Sequence, residues 1–320
     1  MFYKIISDSH IIKQWLTGDF STELPGLKLI HNDSGLRIIT PAAEINIIYH
    51  SEIDYSKNHI IMTGPSGSGK GTQGEMLQEL LNIPQENYFS TGAILRQMIA
   101  RADQSEDTIQ ELSRMGISAK IILAENQLIT EDKRTQTEIK KSLEAAKNPF
   151  AGNSTLDWLR YAVTNGRLIP DSWTESIMES IFGNMPVTDG FILDGYPRTE
   201  RAARHLVHMF NKKNIRIDQV LILDVHDKKV EERLLARRRP DDTDEAIKAR
   251  LEFYHDHVEP AIEILQNAFG NKKVKFIGFK ALYDRPTGEL NIEASIRLIF
   301  EEIKELFMVQ RKELIINLKK

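Results

Sequence analysis

Cysteine is absent from all 320 residues. That excludes disulfides and thiolate metal centres, and it agrees with a reducing compartment. Long apolar runs are missing too, and none approaches the roughly 20 residues a membrane-spanning helix needs. The first residues, Met1-Phe2-Tyr3-Lys4, lack the basic region, apolar run and small-residue cleavage site of a secretory leader. Net charge is small, −4 at neutral pH, which argues against a general binder of nucleic acid or other polyanions. Any anion site must therefore come from a local cluster of cations. The expectation is a soluble cytoplasmic protein, away from membranes and nucleic acid.

Four stretches differ in character. Residues 1 to about 55 hold β-like runs at Leu27–His31, Leu36–Thr40 and Ile45–Tyr49, the first two separated by the turn sequence Asn32-Asp33-Ser34-Gly35. From His59 the pattern turns α/β. His59–Thr63 reads as a buried strand, followed by a glycine-rich turn and a helix with Met76, Leu77, Leu80 and Leu81 on one face. Phe191–Leu193, Val220–Leu223 and Val274–Ile277 are further strands between helical or polar segments, the arrangement of a parallel sheet with crossover helices. Residues about 100 to 155 are charged and helix-prone and read as an insertion. Residues 291 to 320 are expected to be a C-terminal helix, because Ile296, Ile299, Phe300, Ile303, Leu306 and Phe307 recur at helical spacing.

The most specific local signal is Gly64-Pro65-Ser66-Gly67-Ser68-Gly69-Lys70-Gly71-Thr72, between a strand and a helix. This is the context of a phosphate-binding loop. Glycines let backbone N–H groups turn inward, the helix adds the positive end of its dipole, and Lys70 supplies a charge for the β- and γ-phosphates. The hydroxyl that usually follows the lysine comes one place later, at Thr72.

The Lys-Gly-Thr-Gln ending of that loop resembles the adenylate kinase family, and four more segments resemble its motifs in order. They are Ser90-Thr91-Gly92-Ala93-Ile94-Leu95-Arg96, Asn165-Gly166-Arg167-Leu168-Ile169-Pro170-Asp171, Asp194-Gly195-Tyr196-Pro197-Arg198-Thr199, and Arg233, Arg237, Arg239-Pro240-Asp241-Asp242 with Arg250. The resemblance spans about Ile60 to Ala100 and about Leu156 to Gly278. It implies a P-loop α/β/α three-layer fold with a parallel five-stranded sheet and a helical acceptor-binding subdomain, here beside a small β-rich N-terminal segment. The kinase domain would cover 56–290, with the acceptor subdomain and its insertion at about 90–170 and a short lid at about 237–242.

The resemblance also implies the reaction, reversible Mg2+-dependent transfer of the γ-phosphoryl group of ATP to a nucleoside monophosphate, AMP first among them. ATP would be bound by Gly64, Ser66, Gly67, Ser68, Gly69, Lys70, Gly71, Thr72, Arg233 and Arg237. The acceptor would be bound by Thr91, Gly92, Arg96, Arg167, Leu168, Ile169, Gly195, Arg198, Arg239 and Arg250. Lys70, Arg198, Arg237, Arg239 and Arg250 would stabilise the transferring group, and Asp194, through water, with Thr72 would hold Mg2+. Such a reaction brings two mutually repelling phosphates together, which is why arginine forks recur. Asp171 and Ser172 are expected to cap a helix.

Three features depart from the family pattern. Ala93 stands where an aspartate is usual, Ala202 stands where a glutamine commonly reads the adenine edge, and the insertion lies inside the acceptor domain. A kinase for another monophosphate, or an ATP-binding regulatory module, therefore stays open. So does a monomer with a protein partner at the insertion or the N-terminal segment.

Overall fold

A computed structural model describes residues 28–32, 35–39, 43–114, 117, 155–164, 169–184, 190–237, 243–283 and 290–318. Arg167, Leu168, Arg239, Asp241, Asp242 and most of the insertion lie outside the described residues, as does the side chain of Arg237. The chain forms two compact units. One runs from Tyr55 to Phe307; the other combines the preceding segment with the stretch from Met308.

The smaller unit is an antiparallel sheet. Strands β1 (Lys28–Asn32), β2 (Gly35–Ile39) and β3 (Ala43–Ile53) are joined by the chain's last strand, β11 (Met308–Leu318), in the order β1-β2-β3-β11. Asn32 pairs with Gly35, so a two-residue connection closes the first hairpin. Ile38 and Ile45 face each other across β2 and β3 and are buried, with Ile47 packed against them. Arg37 donates through Nε to Glu44 Oε1 at 2.8 Å. The expectation of one helix from 291 to 320 fails here. The helix ends at Glu305, and the final residues instead extend along β3, from Met308 opposite Ile53 to Leu318 opposite Ala43. Pairing with a strand more than two hundred residues away in sequence overrides local helical spacing.

In the larger unit, β4 (His59–Thr63) leads into α1 (Lys70–Leu81), then β5 (Tyr88–Ser90), α2 (Thr91–Ala102) and α3 (Glu106–Arg114). Helices α4 (Thr155–Thr164) and α5 (Asp171–Asn184) follow, then β6 (Phe191–Asp194), α6 (Glu200–Lys213), β7 (Gln219–Asp224), α7 (Asp227–Arg237) and α8 (Asp244–Phe253). After a π-helical turn at Tyr254–Val258 come α9 (Glu259–Phe269), β8 (Val274–Gly278), the short pair β9 (Leu282–Tyr283) and β10 (Leu290–Asn291), and α10 (Ile292–Glu305). The five parallel strands run in the order β5-β6-β4-β7-β8. Strand order reverses at β4, and open α/β sheets bind ligands at such a switch point, beyond the carboxyl ends of the strands.

Helices on both sides leave Ile60, Ile61 and Met62 with no exposed surface, as a parallel sheet requires. Phe182, Phe191 and Phe210 meet edge to face beneath it, with centroids 5.0 Å apart for Phe182 with each of the other two. Leu95, Leu112, Leu159 and Trp173 carry that core into the helices of the 90–170 region. Helix α10 buries Ile299, Phe300 and Ile303, and Gln73 Nε2 donates to the Ile296 carbonyl at 3.0 Å. No helix among the described residues is long and apolar enough to cross a membrane.

One contact fixes the geometry where the site will form. Thr199 caps α6, its hydroxyl accepting from Ala202 N at 3.1 Å while donating to the buried carboxylate of Asp171 at 2.8 Å. Asp171 therefore ties α5 to α6. Helix α5 begins at Asp171 itself, so Ser172 lies inside the first turn and the capping expected of this pair is corrected to a tertiary link. Replacing Thr199 by Ala removes a cap and a hydrogen bond to a buried carboxylate. Urea unfolding is expected to show a loss of about 2 kcal/mol.

Candidate active site

A cavity of about 700 Å3 opens at the carboxyl ends of β4, β5 and β6. One wall is the loop between β4 and α1. At Gly64 the backbone takes φ +137°, and a Cβ would stand 2.5 Å from the Leu223 carbonyl oxygen, so only glycine lets the loop leave the strand here. Helix α1 starts after Gly69 with no side-chain cap, and α2 starts after Ser90 in the same way. Residues of both first turns, Lys70 and Thr91 among them, line the one cavity. Two helix N-termini with uncapped amides are two ready positions for anions.

Cations gather around them. Lys70 Nζ curls over the loop, donating to the carbonyls of Gly64 and Pro65 at 2.8 Å each. Arg233 reaches back from α7 to the Ser68 carbonyl at 3.3 Å and lies 5.2 Å from the centre of the Phe279 ring, and its enclosure lowers its pKa. Arg96 folds over the start of its own helix, with NH1 3.3 Å from where a Cβ on Gly92 would be. Arg198 is fixed by a 2.8 Å bond from Nε to the Gly195 carbonyl. Its surface is exposed to the open cavity, yet the walls enclose it. That enclosure is the main reason its pKa is lowered; Arg250 and Arg96 lower it further, and Asp194 opposes them. Arg198, Arg250 and Arg96 thus form one mutually repelling group, with Asp194 as counter-charge.

Asp194 ends β6 and is buried. Its Oδ2 accepts from the Tyr88 hydroxyl at 3.4 Å, and its Oδ1 is buried with no hydrogen-bond partner among the described residues. A buried carboxylate oxygen with open valence at the cavity wall suits a hydrated divalent cation.

Of the expected site residues, Gly64, Ser66, Gly67, Gly69, Lys70, Gly71, Thr72, Thr91, Gly92, Arg96, Ile169, Asp194, Gly195, Arg198, Arg233 and Arg250 line this cavity. Ser68 is buried within the loop, where its backbone carbonyl accepts from Arg233 and its hydroxyl from Lys70. Arg167, Leu168 and Arg239 fall outside the described residues, as does the Arg237 side chain. The structure adds Glu75, Tyr88, Thr174, Phe253, Tyr254 and Val258. The last two belong to the π-helical turn, a feature common at functional sites. Burial pushes the Tyr254 phenol up to about 12.

Comparison with known proteins fits this geometry. A family model described as adenylate kinase matches residues 151–269, and one described as an AAA domain matches residues 63–146. The adenylate kinase of Mycobacterium tuberculosis (strain H37Rv) is 30% identical over 204 residues, covering 64% of this chain and 83% of that protein. That of Corynebacterium aurimucosum is 30% identical over 203 residues, covering 63% and 83%.

The chain belongs to the adenylate kinase family.

Membership makes it a phosphotransferase of the nucleoside-monophosphate kinase type, with nucleotides as substrates. The helix starts at Lys70 and Thr91 lie in the 63–146 match, and Asp194, Arg198 and Arg250 lie in the 151–269 match. The N-terminal β-sheet segment lies outside the 151–269 and 63–146 matches.

Proposed function

We propose that the protein catalyses ATP + AMP = 2 ADP with Mg2+. The single observation that carries this reading is the opening of two uncapped helix N-termini, those of α1 and α2, onto one cavity lined by five cations among the described residues. One anion position serves the donor triphosphate and the other the acceptor phosphate.

Each residue then has a task. Lys70 exchanges the loop carbonyls for β- and γ-phosphate oxygens. The loop from Gly64 to Thr72 cradles the triphosphate with its amides, and Arg233, held by Phe279, flanks the donor nucleotide. Arg96 and Arg198 hold the acceptor phosphate at the start of α2, while Arg250 faces both and neutralises charge on the group in flight. By the family resemblance Arg237 and Arg239 would belong to a short lid over the donor phosphates; Arg239 and the Arg237 side chain lie outside the described residues. Mg2+, held by Asp194 through water with Thr72 nearby, would supply charge neutralisation between the β- and γ-phosphates. Catalysis here is positioning and electrostatics in an enclosed site, because phosphoryl transfer leaves the protein little covalent work.

In this reading the protein acts as a monomer on free nucleotides. The missing cysteines support a cytoplasmic location. The kinase domain proposed for 56–290 carries the reaction, with the β-rich segment before it.

A second reading, a kinase for a different monophosphate, is favoured by one observation. Ala93 and Ala202 line the cavity, Ala202 almost fully buried, and neither has a side chain that can hydrogen-bond an adenine edge. A diphosphate-forming assay with ATP, Mg2+ and each monophosphate in turn separates the two. Preference for AMP supports the first, preference for another base replaces it with the second, and no turnover with any acceptor rejects both.

Ala202 also gives a specificity prediction. Its backbone is engaged, N–H to Thr199 and C=O to the Tyr196 hydroxyl, so only its side chain is free to vary. Ala202→Gln is expected to raise the kcat/KM ratio of AMP over other monophosphates about tenfold. An unchanged ratio would mean that this position does not meet the base.

A further inference from the structure

Tyr88 has no task in the reaction as described, yet it stands beside a carboxylate with a buried oxygen that lacks a partner among the described residues. Its hydroxyl donates to Asp194 Oδ2 at 3.4 Å, while Asp194 Oδ1 stays buried without a partner among the described residues. The two oxygens of one carboxylate are therefore distinguished, one tied to the protein and the other left for the cavity. The Tyr88 ring reaches this position by lying against α1 at Gly74. A Cβ on Gly74 would collide with the Tyr88 hydroxyl and stand 2.8 Å from ring carbon Cε2. The missing side chain in the middle of α1 is thus a seat for the phenol, at a position where helix propensity alone favours alanine. The seat and the bond lie on separate elements, α1 and β5, and both converge on the end of β6.

We propose that Tyr88, seated on Gly74, is a positioning residue that fixes the Asp194 carboxylate so that Oδ1 is presented to the Mg2+ hydration shell. The inference rests on the metal role given to Asp194 above. Groups that orient a metal's carboxylate by hydrogen bonding set its geometry and basicity. Tyr88 is the donor in this pair, because a carboxylate oxygen can only accept. Glu75 is exposed, so water competes for it and the buried carboxylate is the better acceptor.

The test measures metal affinity, not turnover. Mn2+ binding to the full-length protein complexed with the β,γ-methylene analogue of ATP is followed by electron paramagnetic resonance of the free ion. Tyr88→Phe keeps the ring and removes only the donor. It is expected to raise the Mn2+ dissociation constant about fivefold, while affinity for the metal-free analogue stays at the wild-type value. Gly74→Ala is expected to weaken Mn2+ binding similarly by unseating the phenol; alanine is the better helix former, so that loss cannot be assigned to the helix. Adding Tyr88→Phe to Asp194→Asn is expected to change nothing further, since both act through one carboxylate.

Wild-type Mn2+ affinity in Tyr88→Phe, with Asp194→Asn weakened, overturns the role of Tyr88 and leaves the metal role of Asp194 standing. Wild-type affinity in Asp194→Asn overturns the metal role itself. Equal weakening of metal-bound and metal-free analogue in Tyr88→Phe would mark a pocket distortion and also overturn the proposal.

Discussion

Lys70→Ala is expected to lower kcat/KM for ATP and acceptor by about a thousandfold or more while the protein stays folded. The ammonium sits on the phosphate-binding loop, donating to the Gly64 and Pro65 carbonyls at 2.8 Å. Two unit charges about 4 Å apart in a partly enclosed site interact by about 4 kcal/mol at an effective dielectric near 20. Each 1.36 kcal/mol lost from the transition state slows the reaction about tenfold, so removing one such contact accounts for a factor of about 10^3. Folding does not depend on it to the same degree. The carbonyls Lys70 holds border an open cavity, where water replaces the ammonium as donor. Steady-state kinetics in both directions, with thermal unfolding alongside, is the measurement. Near-wild-type turnover in a folded variant would remove the phosphate-binding loop from the mechanism.

The sequence makes some of this arrangement readable and hides the rest, for physical reasons. His59–Thr63 and the glycine loop can be read because a buried parallel strand is a continuous apolar run and the turn after it needs backbone that only glycine adopts. The strands at Phe191, Val220 and Val274 follow the same rule. Strand β5 does not: Tyr88–Ser90 is three residues long, too short for any period, and its direction is set by pairing with β6. Strand β11 is hidden differently. Val309, Leu314, Ile315 and Ile316 follow a strongly amphipathic helix, and only the register with β3 decides their state.

The same division holds within the cavity. Lys70, Thr91, Arg96 and Arg198 each belong to a contiguous motif, but those motifs lie on separate helices and loops, and only the family resemblance links them with one another and with Arg250 in the sequence. Tyr88 and Glu75 carry no motif at all. The link from Asp171 to Thr199 spans two helices, and the helix cap expected of Asp171 and Ser172 is a local alternative that the structure does not use. A recognition pattern is legible where its residues are consecutive. Where the fold brings distant side chains together, it is legible only after folding.

Arg198→Ala is expected to reduce kcat/KM for the acceptor by a factor of about 10^2 to 10^4, with the KM for ATP little changed, and without loss of thermal stability. The guanidinium is aimed by its 2.8 Å bond to the Gly195 carbonyl and shares the cavity with Arg96 and Arg250. Enclosure and the two like charges lower its pKa, so the folded protein holds this charge less favourably than the unfolded chain does. For a base with a lowered folded pKa, the charged form opposes folding at every pH below that pKa, which includes neutral pH. Removing Arg198 relieves that strain, so the midpoint of thermal unfolding should stay level or rise even as turnover collapses. An arginine serving only to stabilise the fold would give the opposite, a lower midpoint with activity kept. Arg198→Lys is expected to recover little, because a point charge cannot reproduce two parallel N–H bonds to a phosphate. Kinetics at varied acceptor and fixed ATP, read beside calorimetry of the same variants, decides the matter. Full acceptor turnover in Arg198→Ala would mean that the cationic cluster is not where the acceptor phosphate sits.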